Sequence, residues 1–161
     1  MGDLHGQVAD LIYILDESGL PSPTNKYIFN GDFVDRGNDG VEVMCVLLSL
    51  LVSEPHSIVL NRGNHEDERV NEMYGFSDEC IAKYDEGIFA LFVDLFNHLP
   101  VCALVDKSVF VIHGGLFADL SVTLEDIAKI DRTDLVTSPE ARYEFFTNIQ
   151  FALLSLLVYQ L

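Results

Sequence analysis

Basic residues are scarce in this sequence. Among 161 residues, nine are Lys or Arg and 26 are Asp or Glu, so the formal net charge at pH 7 is −17. Such a charge repels nucleic acid and anionic membranes, and it attracts metal cations or basic partners. The composition therefore argues against a nucleic-acid partner. Because 49% of the residues are hydrophobic, it also argues against disorder, and the length suits one globular domain.

Cysteine is also rare. Cys45, Cys80 and Cys102 are an odd number and lack the Cys-x-x-Cys spacing of metal and redox motifs. No Asn-x-Ser/Thr acceptor occurs, and no basic-then-apolar leader opens the chain, which favours a reducing compartment. We therefore expect a cytoplasmic protein, with the nucleus as the alternative. All three cysteines are predicted to be buried small hydrophobic residues.

No segment is a clear membrane span. The one candidate, residues 145–161, is shorter than the ~20 apolar residues that a spanning helix needs, and polar residues such as Asn148 and Gln150 interrupt it. Its apolar positions follow helical spacing, and residues 138–140, Ser-Pro-Glu, are typical of a helix start. We therefore predict a helix that packs on a protein partner, and no membrane association.

Hydrophobic periodicity predicts alternating helices and strands. Four segments have helical spacing, and the second is apolar enough to predict a buried helix. These segments are residues 8–19, 41–52, 67–98 with a break near Gly75, and 123–129 with a capping box at its start. Short apolar runs predict two strands and a hairpin over residues 101–113. We predict an α/β (α+β) fold, in which a mixed β-sheet has flanking helices.

Three predicted strands, ending at Phe29, Leu60 and Ile112, each run into a glycine-bearing loop with Asp, Asn or His. Sites in sheets with covering helices lie at such carboxyl ends. Each loop alone is a weak signal, since single histidines are usually structural and Asp-Gly pairs are usually turns. Together with a fourth loop near the start of the chain, they contribute Asp3, His5, Asp32, Asp35, Arg36, Asn64, His65 and His113.

The side-chain types in these loops indicate a metal site. Carboxylate, amide oxygen and imidazole together suit a cation such as Mn, Fe or Zn, and histidine argues against calcium. One carboxylate can bridge two cations roughly 3.5–4 Å apart, which stabilise an in-line phosphoryl displacement. Arg36 is a forked donor suited to phosphate oxygens. His65 is placed to protonate a leaving alkoxide, and a carboxylate such as Asp35 would fix its tautomer.

Four motifs carry a resemblance to a known family. They are GDLHGQ at residues 2–7, GDFVDRG at 31–37, RGNHE at 62–66 and HGGL at 113–116. In sequence and order they resemble the phosphoprotein phosphatase family of serine/threonine phosphatases, a branch of the calcineurin-like metallophosphoesterases. The resemblance extends over about residues 2–132. LNRGNHED is similar to the subgroup that carries EF-hands, the retinal degeneration C type, because most relatives have Leu in place of Asn61.

The resemblance implies a calcineurin-like sandwich of mixed sheet and helices with two divalent metal ions. Mn is the first choice of metal, with Fe and Zn as alternatives. Asp3, His5 and Asp32 would hold one ion, and Asp32, Asn64 and His113 would hold the other.

The resemblance also implies the reaction. A hydroxide bridging the two metals would hydrolyse phosphoserine and phosphothreonine in proteins directly, without a phospho-enzyme intermediate. Arg36 and Asn64 would bind the phosphate, and His65 with Asp35 would act as the general acid. Glu66 would have at most an indirect role. The implied partners are a phosphoprotein substrate and regulatory protein subunits.

The sequence departs from the family pattern at both ends. Met1 stands where a buried strand normally leads into the first motif. The Trp-Ser-Asp-Pro segment, a second phosphate-binding arginine and the histidine that completes the second metal site are not found, and no tryptophan occurs. We therefore predict that residues 1–132 are the N-terminal part of an incomplete catalytic domain, apparently truncated at both ends. Residues 133–161 are predicted to be a helical apolar tail outside the family.

Three functions remain open from the sequence. The first is a serine/threonine-protein phosphatase. The second is a catalytically impaired fragment that acts only as a binding module or has no function. The third is a dinucleoside polyphosphate hydrolase, since bacterial relatives share the metal loops. Those relatives usually lack Asp-Arg-Gly and have Asn-His-Asp, so residues 35–37 and 62–66 favour the protein substrate.

Overall fold

The predicted alternation of helices and strands is present in the computed structural model, which describes residues 1–115, 119 and 121–132. Its helices are α1 (Val8–Ser18), α2 (Gly40–Ser53), α3 (Glu68–Tyr74), α4 (Phe76–Lys83), α5 (Glu86–His98) and α6 (Leu124–Ala128). Its strands are β1 (Tyr27–Phe29), β2 (Ile58–Leu60), β3 (Cys102–Val105) and β4 (Val109–Ile112). The predicted α/β (α+β) class is confirmed. The tail, residues 133–161, lies outside the described residues.

The strands form two pairs of opposite type. β1 and β2 are parallel, with α2 as their crossover, and Phe29 lies opposite Leu60. β3 and β4 are antiparallel, with Cys102 opposite Ile112. Because parallel strands end at the same edge, the loops after Phe29 and Leu60 emerge side by side. This register places the second and third motifs next to each other.

Asn61 joins the ends of three strands. Its buried amide nitrogen donates to Asn30 Oδ1 at 2.9 Å and to Val111 O at 3.2 Å, and its backbone N–H donates to Phe29 O at 2.8 Å. The position that distinguished the EF-hand type of motif therefore has a structural role here. It holds β4, and with it the loop of His113, beside the parallel pair.

An aromatic cluster ties the core to the predicted site. Phe76, the first residue of α4, is fully buried, and its ring lies 5.3 Å from the ring of Phe92 and 5.9 Å from that of Phe96. Both partners come from α5. The backbone N–H of the same Phe76 donates to Asp35 Oδ1 at 2.9 Å. Packing of α4 on α5 therefore fixes a hydrogen-bond donor to the loop that follows β1.

Residues 67–98 form three helices instead of two. The predicted break at Gly75 is confirmed, and its φ of 111° explains the glycine. A second break, which the sequence analysis missed, occurs at Asp85, whose side chain accepts from Ile88 N. An N-cap aspartate was the available signal.

Two local predictions near the end of the described chain are confirmed. The hairpin turns at Asp106 and Lys107, with φ of 50° and 55°, a pair of left-handed residues that suits the twist of the strands. The capping box of α6 is formed by reciprocal hydrogen bonds between Thr123 and Asp126. Both features depend on a few adjacent residues, which is why the sequence predicts them well.

The prediction that all three cysteines are buried is wrong for Cys45. Cys80 and Cys102 are buried, but Cys45 is exposed. Although α2 is apolar almost throughout, its inner face carries Met44 and Leu47, and the opposite face remains in solvent. No helix in the described part of the chain has the length and apolarity to cross a bilayer.

Candidate active site

The loop after β1 holds rare backbone conformations. Asp32, Asp35 and Arg36 have φ values of 55°, 66° and 67°, and His5 in the first motif has 43°. Such left-handed conformations cost a non-glycine residue on the order of 1 kcal/mol or more, and they persist only where surrounding contacts enforce them. All four residues belong to the site predicted from the sequence. The strain is therefore concentrated there.

Hydrogen bonds join the first motif to this loop and orient His5. Leu4 N and His5 N both donate to Asp32 O at 2.9 Å. His5 Nδ1 lies 2.9 Å from Val34 O, which only accepts, so Nδ1 carries the proton. Nε2 is the nitrogen left for a ligand, and it faces Asp32 Oδ2 at 3.7 Å.

His113, at the end of β4, is oriented in the same way. Its Nδ1 donates to Asn30 O at 2.5 Å. Its Nε2 lies 3.3 Å from Asp32 Oδ2 and 3.1 Å from Asn64 Oδ1. A backbone carbonyl that anchors one ring nitrogen, so that the other faces a common point, is the usual arrangement around metal-binding histidines.

Asp32 lies between these two histidines. Its Oδ1 accepts from His65 N at 2.9 Å and so stabilises the third motif. Its Oδ2 faces Nε2 of both His5 and His113. The side chain is buried, with the residue only 4% exposed. One oxygen therefore holds the loop, and the other is directed to the point where two imidazoles meet.

The structure brings all five predicted metal ligands to one place. Two groups of donor atoms each lie within 4.8 Å of one another, and Asp32 belongs to both. One group adds Asp3 and His113, and the other adds His5 and His65. This grouping differs from the predicted division between two ions, so the division stays a prediction. A donor set of carboxylates and imidazoles fits divalent cations of intermediate hardness.

Asp32 and His113 influence each other electrostatically. Burial disfavours the charge on each, but the hydrogen bond and the opposite charge of the partner outweigh it. They raise the pKa of His113 to about 9, with help from Asn30 O, and they lower the pKa of Asp32. Without a cation, a proton therefore stays between the two side chains at neutral pH. A divalent cation would replace this proton, because metal ligands bind in their deprotonated form.

His65 forms the second half of the site. It is 2% exposed, and its Nδ1 lies 2.8 Å from Asp35 Oδ2. Its Nε2 lies 3.2 Å from Arg36 Nη2, which can only donate, so Nε2 accepts and the imidazole has its proton on Nδ1. The guanidinium lies 5.9 Å from the ring centroid of Tyr74. Asp35, His65 and Arg36 thus form one hydrogen-bonded chain that ends at an exposed cation.

Glu66 is a structural residue whose importance the sequence analysis underestimated. It is fully buried, and its carboxylate accepts from Asp32 N at 2.7 Å, Phe33 N at 2.8 Å and Gly63 N at 2.8 Å. Burial, reinforced by the charge of Asp32, raises its pKa to about 7. Glu66 thus joins the second and third motifs. Asn71, which contacts Asp35 and His65, was missed entirely because it lies in no motif.

The close approach of these motifs leaves no room for a side chain at Gly63. A β-carbon there would collide with the backbone and carboxylate of Asp32 and would lie 2.8 Å from Glu66 Oε2. We expect Gly63→Ala to lower the free energy of unfolding by about 1–3 kcal/mol, as overpacking does elsewhere. Urea denaturation measures this. Gly2→Ala is the control, since nothing lies within 4 Å of its added β-carbon, and equal losses in both variants would contradict the explanation.

Comparisons with known proteins agree with this geometry. The sequence model of the calcineurin-like phosphoesterase family matches residues 1–155. Serine/threonine-protein phosphatase T of Schizosaccharomyces pombe is 49% identical over 131 residues, which cover 81% of this chain and 28% of that protein. Serine/threonine-protein phosphatase 5 of Homo sapiens is 48% identical over 131 residues, covering 81% of this chain and 26% of that protein. The chain thus spans about a quarter of the length of each of these relatives.

Two further similarities concern the subgroup and the fold. Serine/threonine-protein phosphatase with EF-hands 2 of Mus musculus is 49% identical over 140 residues, covering 85% of this chain and 18% of that protein. The solved structure of a Saccharomyces cerevisiae protein serine/threonine phosphatase with similarity to human phosphatase PP5 superimposes with a TM-score of 0.80 at 44% identity. The superimposed part covers 82% of this chain and 42% of the Saccharomyces cerevisiae chain. The chain belongs to the calcineurin-like phosphoesterase family, among the relatives of serine/threonine-protein phosphatases 5, T and those with EF-hands.

Proposed function

We propose that this chain hydrolyses phosphoserine and phosphothreonine in proteins with the help of divalent metal ions. The observation that carries the proposal is the position of Asp32 Oδ2. This oxygen faces Nε2 of His5 and Nε2 of His113, and the Nδ1 atom of each ring is bound to a backbone carbonyl. His65 and the exposed Arg36 lie beside it. The names of the similar proteins, which are serine/threonine-protein phosphatases, support the choice of substrate.

The proposed metal ligands are those that converge on this oxygen. Asp3, His5 and Asp32 would hold one ion, and Asp32, Asn64 and His113 the other. Mn is the proposed metal, with Fe and Zn as alternatives, because the donor set mixes carboxylate, amide and imidazole. Two bound cations would supply a water of lowered pKa and positive charge for the phosphoryl oxygens. Asp32 would serve both ions because it belongs to both donor groups.

Arg36 and Asn64 are the proposed contacts to the substrate phosphate. Arg36 is exposed, and its planar guanidinium can donate two parallel hydrogen bonds to phosphate oxygens. Its Nη2 is 3.2 Å from His65 Nε2, so a phosphate bound by Arg36 would lie close to that nitrogen. Arg36 thus has a positioning effect as well as an electrostatic one, because it brings the leaving oxygen to the imidazole.

His65 is the proposed general acid. Asp35 accepts from its Nδ1 at 2.8 Å, which fixes the orientation and the tautomer of the ring. When a phosphate oxygen takes over the donor of Arg36, His65 Nε2 becomes free to carry a proton. It would give this proton to the departing alkoxide of serine or threonine. General-acid catalysis of this kind contributes ~10²–10⁴-fold to a rate.

Two assays test the proposed function. We expect folded, Mn-loaded chain to hydrolyse p-nitrophenyl phosphate, and to hydrolyse a phosphoserine peptide faster than a dinucleoside polyphosphate. Phosphate release with and without a chelator measures both. No turnover by folded chain with bound Mn would overturn the proposal and favour a non-catalytic binding module. Preference for the dinucleotide would overturn the protein substrate while retaining the metal site.

A further inference from the structure

The buried side chain of Asn71 connects the two residues of the proposed general acid. Asn71 lies in α3 and is fully buried. Its amide nitrogen Nδ2 lies 3.0 Å from Asp35 Oδ2 and 2.7 Å from the backbone oxygen of His65. Both neighbours only accept hydrogen bonds, so the amide donates one proton to each. Asn71 therefore contacts the side chain of one residue and the main chain of the other.

The carboxylate of Asp35 is held on both oxygens. Oδ1 accepts from Phe76 N at 2.9 Å, and Oδ2 accepts from His65 Nδ1 at 2.8 Å and from Asn71. Phe76 N is fixed by the aromatic cluster that packs α4 on α5. Phe76 donates to one carboxylate oxygen and Asn71 to the other, so these two hydrogen bonds orient the carboxylate plane without the His65 imidazole. The imidazole thus binds to an acceptor that is already oriented.

The rest of the Asn71 side chain makes no competing hydrogen bond within the described part of the chain. Its oxygen Oδ1 is buried and accepts no hydrogen bond from any described residue. The amide is therefore held through its nitrogen alone. A buried carbonyl without a donor is destabilising, so the two donated hydrogen bonds must offset this penalty.

We propose that Asn71 is a positioning residue that orients the Asp35–His65 pair for proton transfer to the leaving group. This role rests on the proposed phosphatase function. Because Asn71 binds the Asp35 carboxylate and the His65 backbone together, it sets the height and tilt of the imidazole relative to Arg36. Removing it leaves Phe76 N as the one other anchor of the carboxylate described above, so the carboxylate can tilt and His65 Nε2 can move away from the leaving oxygen. Loss of Asn71 should therefore slow the proton-transfer step.

The sensitivity of the rate to the leaving group tests this role. A phosphoserine peptide releases an alkoxide that needs a proton, whereas p-nitrophenolate leaves without one. For Asn71→Leu, which removes both donors at similar volume, we expect kcat on the peptide to fall ~10–100-fold. On p-nitrophenyl phosphate it should fall by less than about threefold, because that reaction gains little from a general acid. The milder variant Asn71→Ser should lie between wild type and Asn71→Leu.

Asn25→Leu is the matched control. Asn25 Nδ2 also donates to backbone carbonyls, those of Ser18, Gly19 and Leu20, but at the loop between α1 and β1. Replacing Asn25 should lower the stability of the fold without changing the ratio of kcat on the phosphoserine peptide to kcat on p-nitrophenyl phosphate. Equal losses on both substrates in folded Asn71→Leu would show a merely structural role and overturn the proposal.

A second readout needs no turnover. In ¹⁵N-resolved NMR spectra of the full chain, the Nδ1 proton of His65 should show a strong hydrogen bond to Asp35. We expect this resonance to shift and to exchange faster in Asn71→Leu and Asn71→Ser, and to stay in place in Asn25→Leu. An unchanged resonance in both Asn71 variants would overturn the proposal. If wild type hydrolyses neither substrate, the proposed function fails, and these spectra still decide whether Asn71 orients the Asp35–His65 pair.

Discussion

Asp32→Asn is expected to abolish the proposed phosphatase activity while leaving the fold intact. Asparagine keeps an Oδ1 that can accept from His65 N, so the third motif stays in place. It removes the negative charge and puts an amide group where Oδ2 faces His5 and His113. Metal affinity should fall by more than the ~10–100-fold that follows loss of an indirect metal contact. Elemental analysis of dialysed protein should then find neither ion.

Asp94→Asn is the matched control for this substitution. Asp94 lies in α5, where its side chain is 76% exposed and 3.8 Å from that of His98. Removing an exposed charge of this kind changes stability by no more than about 0.5 kcal/mol. Turnover and metal content should equal those of wild type. If Asp32→Asn retained both ions and most of its activity, the central role given to Asp32 would be wrong.

His65→Asn is expected to separate proton transfer from metal binding. The imidazole is the only part of the Asp35–His65–Arg36 chain that can carry a proton to the leaving group at neutral pH. We expect kcat on a phosphoserine peptide to fall ~10²–10⁴-fold. Metal content should stay near that of wild type, because the proposed ligands are unchanged.

Metal content is the informative measurement for His65→Asn, because the structure also allows another role. His65 lies in a donor group with His5 and Asp32, so its ring is within reach of a metal ion bound there. Loss of one ion in His65→Asn would show that it is one, and would contradict its assignment as general acid. His98→Asn is the control, since His98 is exposed on α5 and its Nδ1 contacts only that helix in the described chain.

Much of the local structure could be predicted from the sequence. The helix start at Val8, the capping box at Thr123 and the hairpin turn at Asp106 depend on residues adjacent in the chain. The break at Asp85 was missed because helical spacing continues on both sides of it. Exposure of Cys45 was also missed, because α2 is apolar on both faces, so its pattern does not reveal which face is buried.

The sequence was enough to predict which types of donor the site contains and that they follow strands, because glycine and polar side chains directly after a short apolar run are typical of a loop after a strand. The folded chain was needed to show which atoms meet. His113 contacts a carbonyl 83 residues away, and Asn71 contacts a carboxylate 36 residues away. The first contact follows from the placement of β4 beside the parallel pair and the second from helix packing. Neither leaves a periodic pattern in the sequence around the residue. For this reason the structural role of Glu66 was underestimated and that of Asn71 was missed.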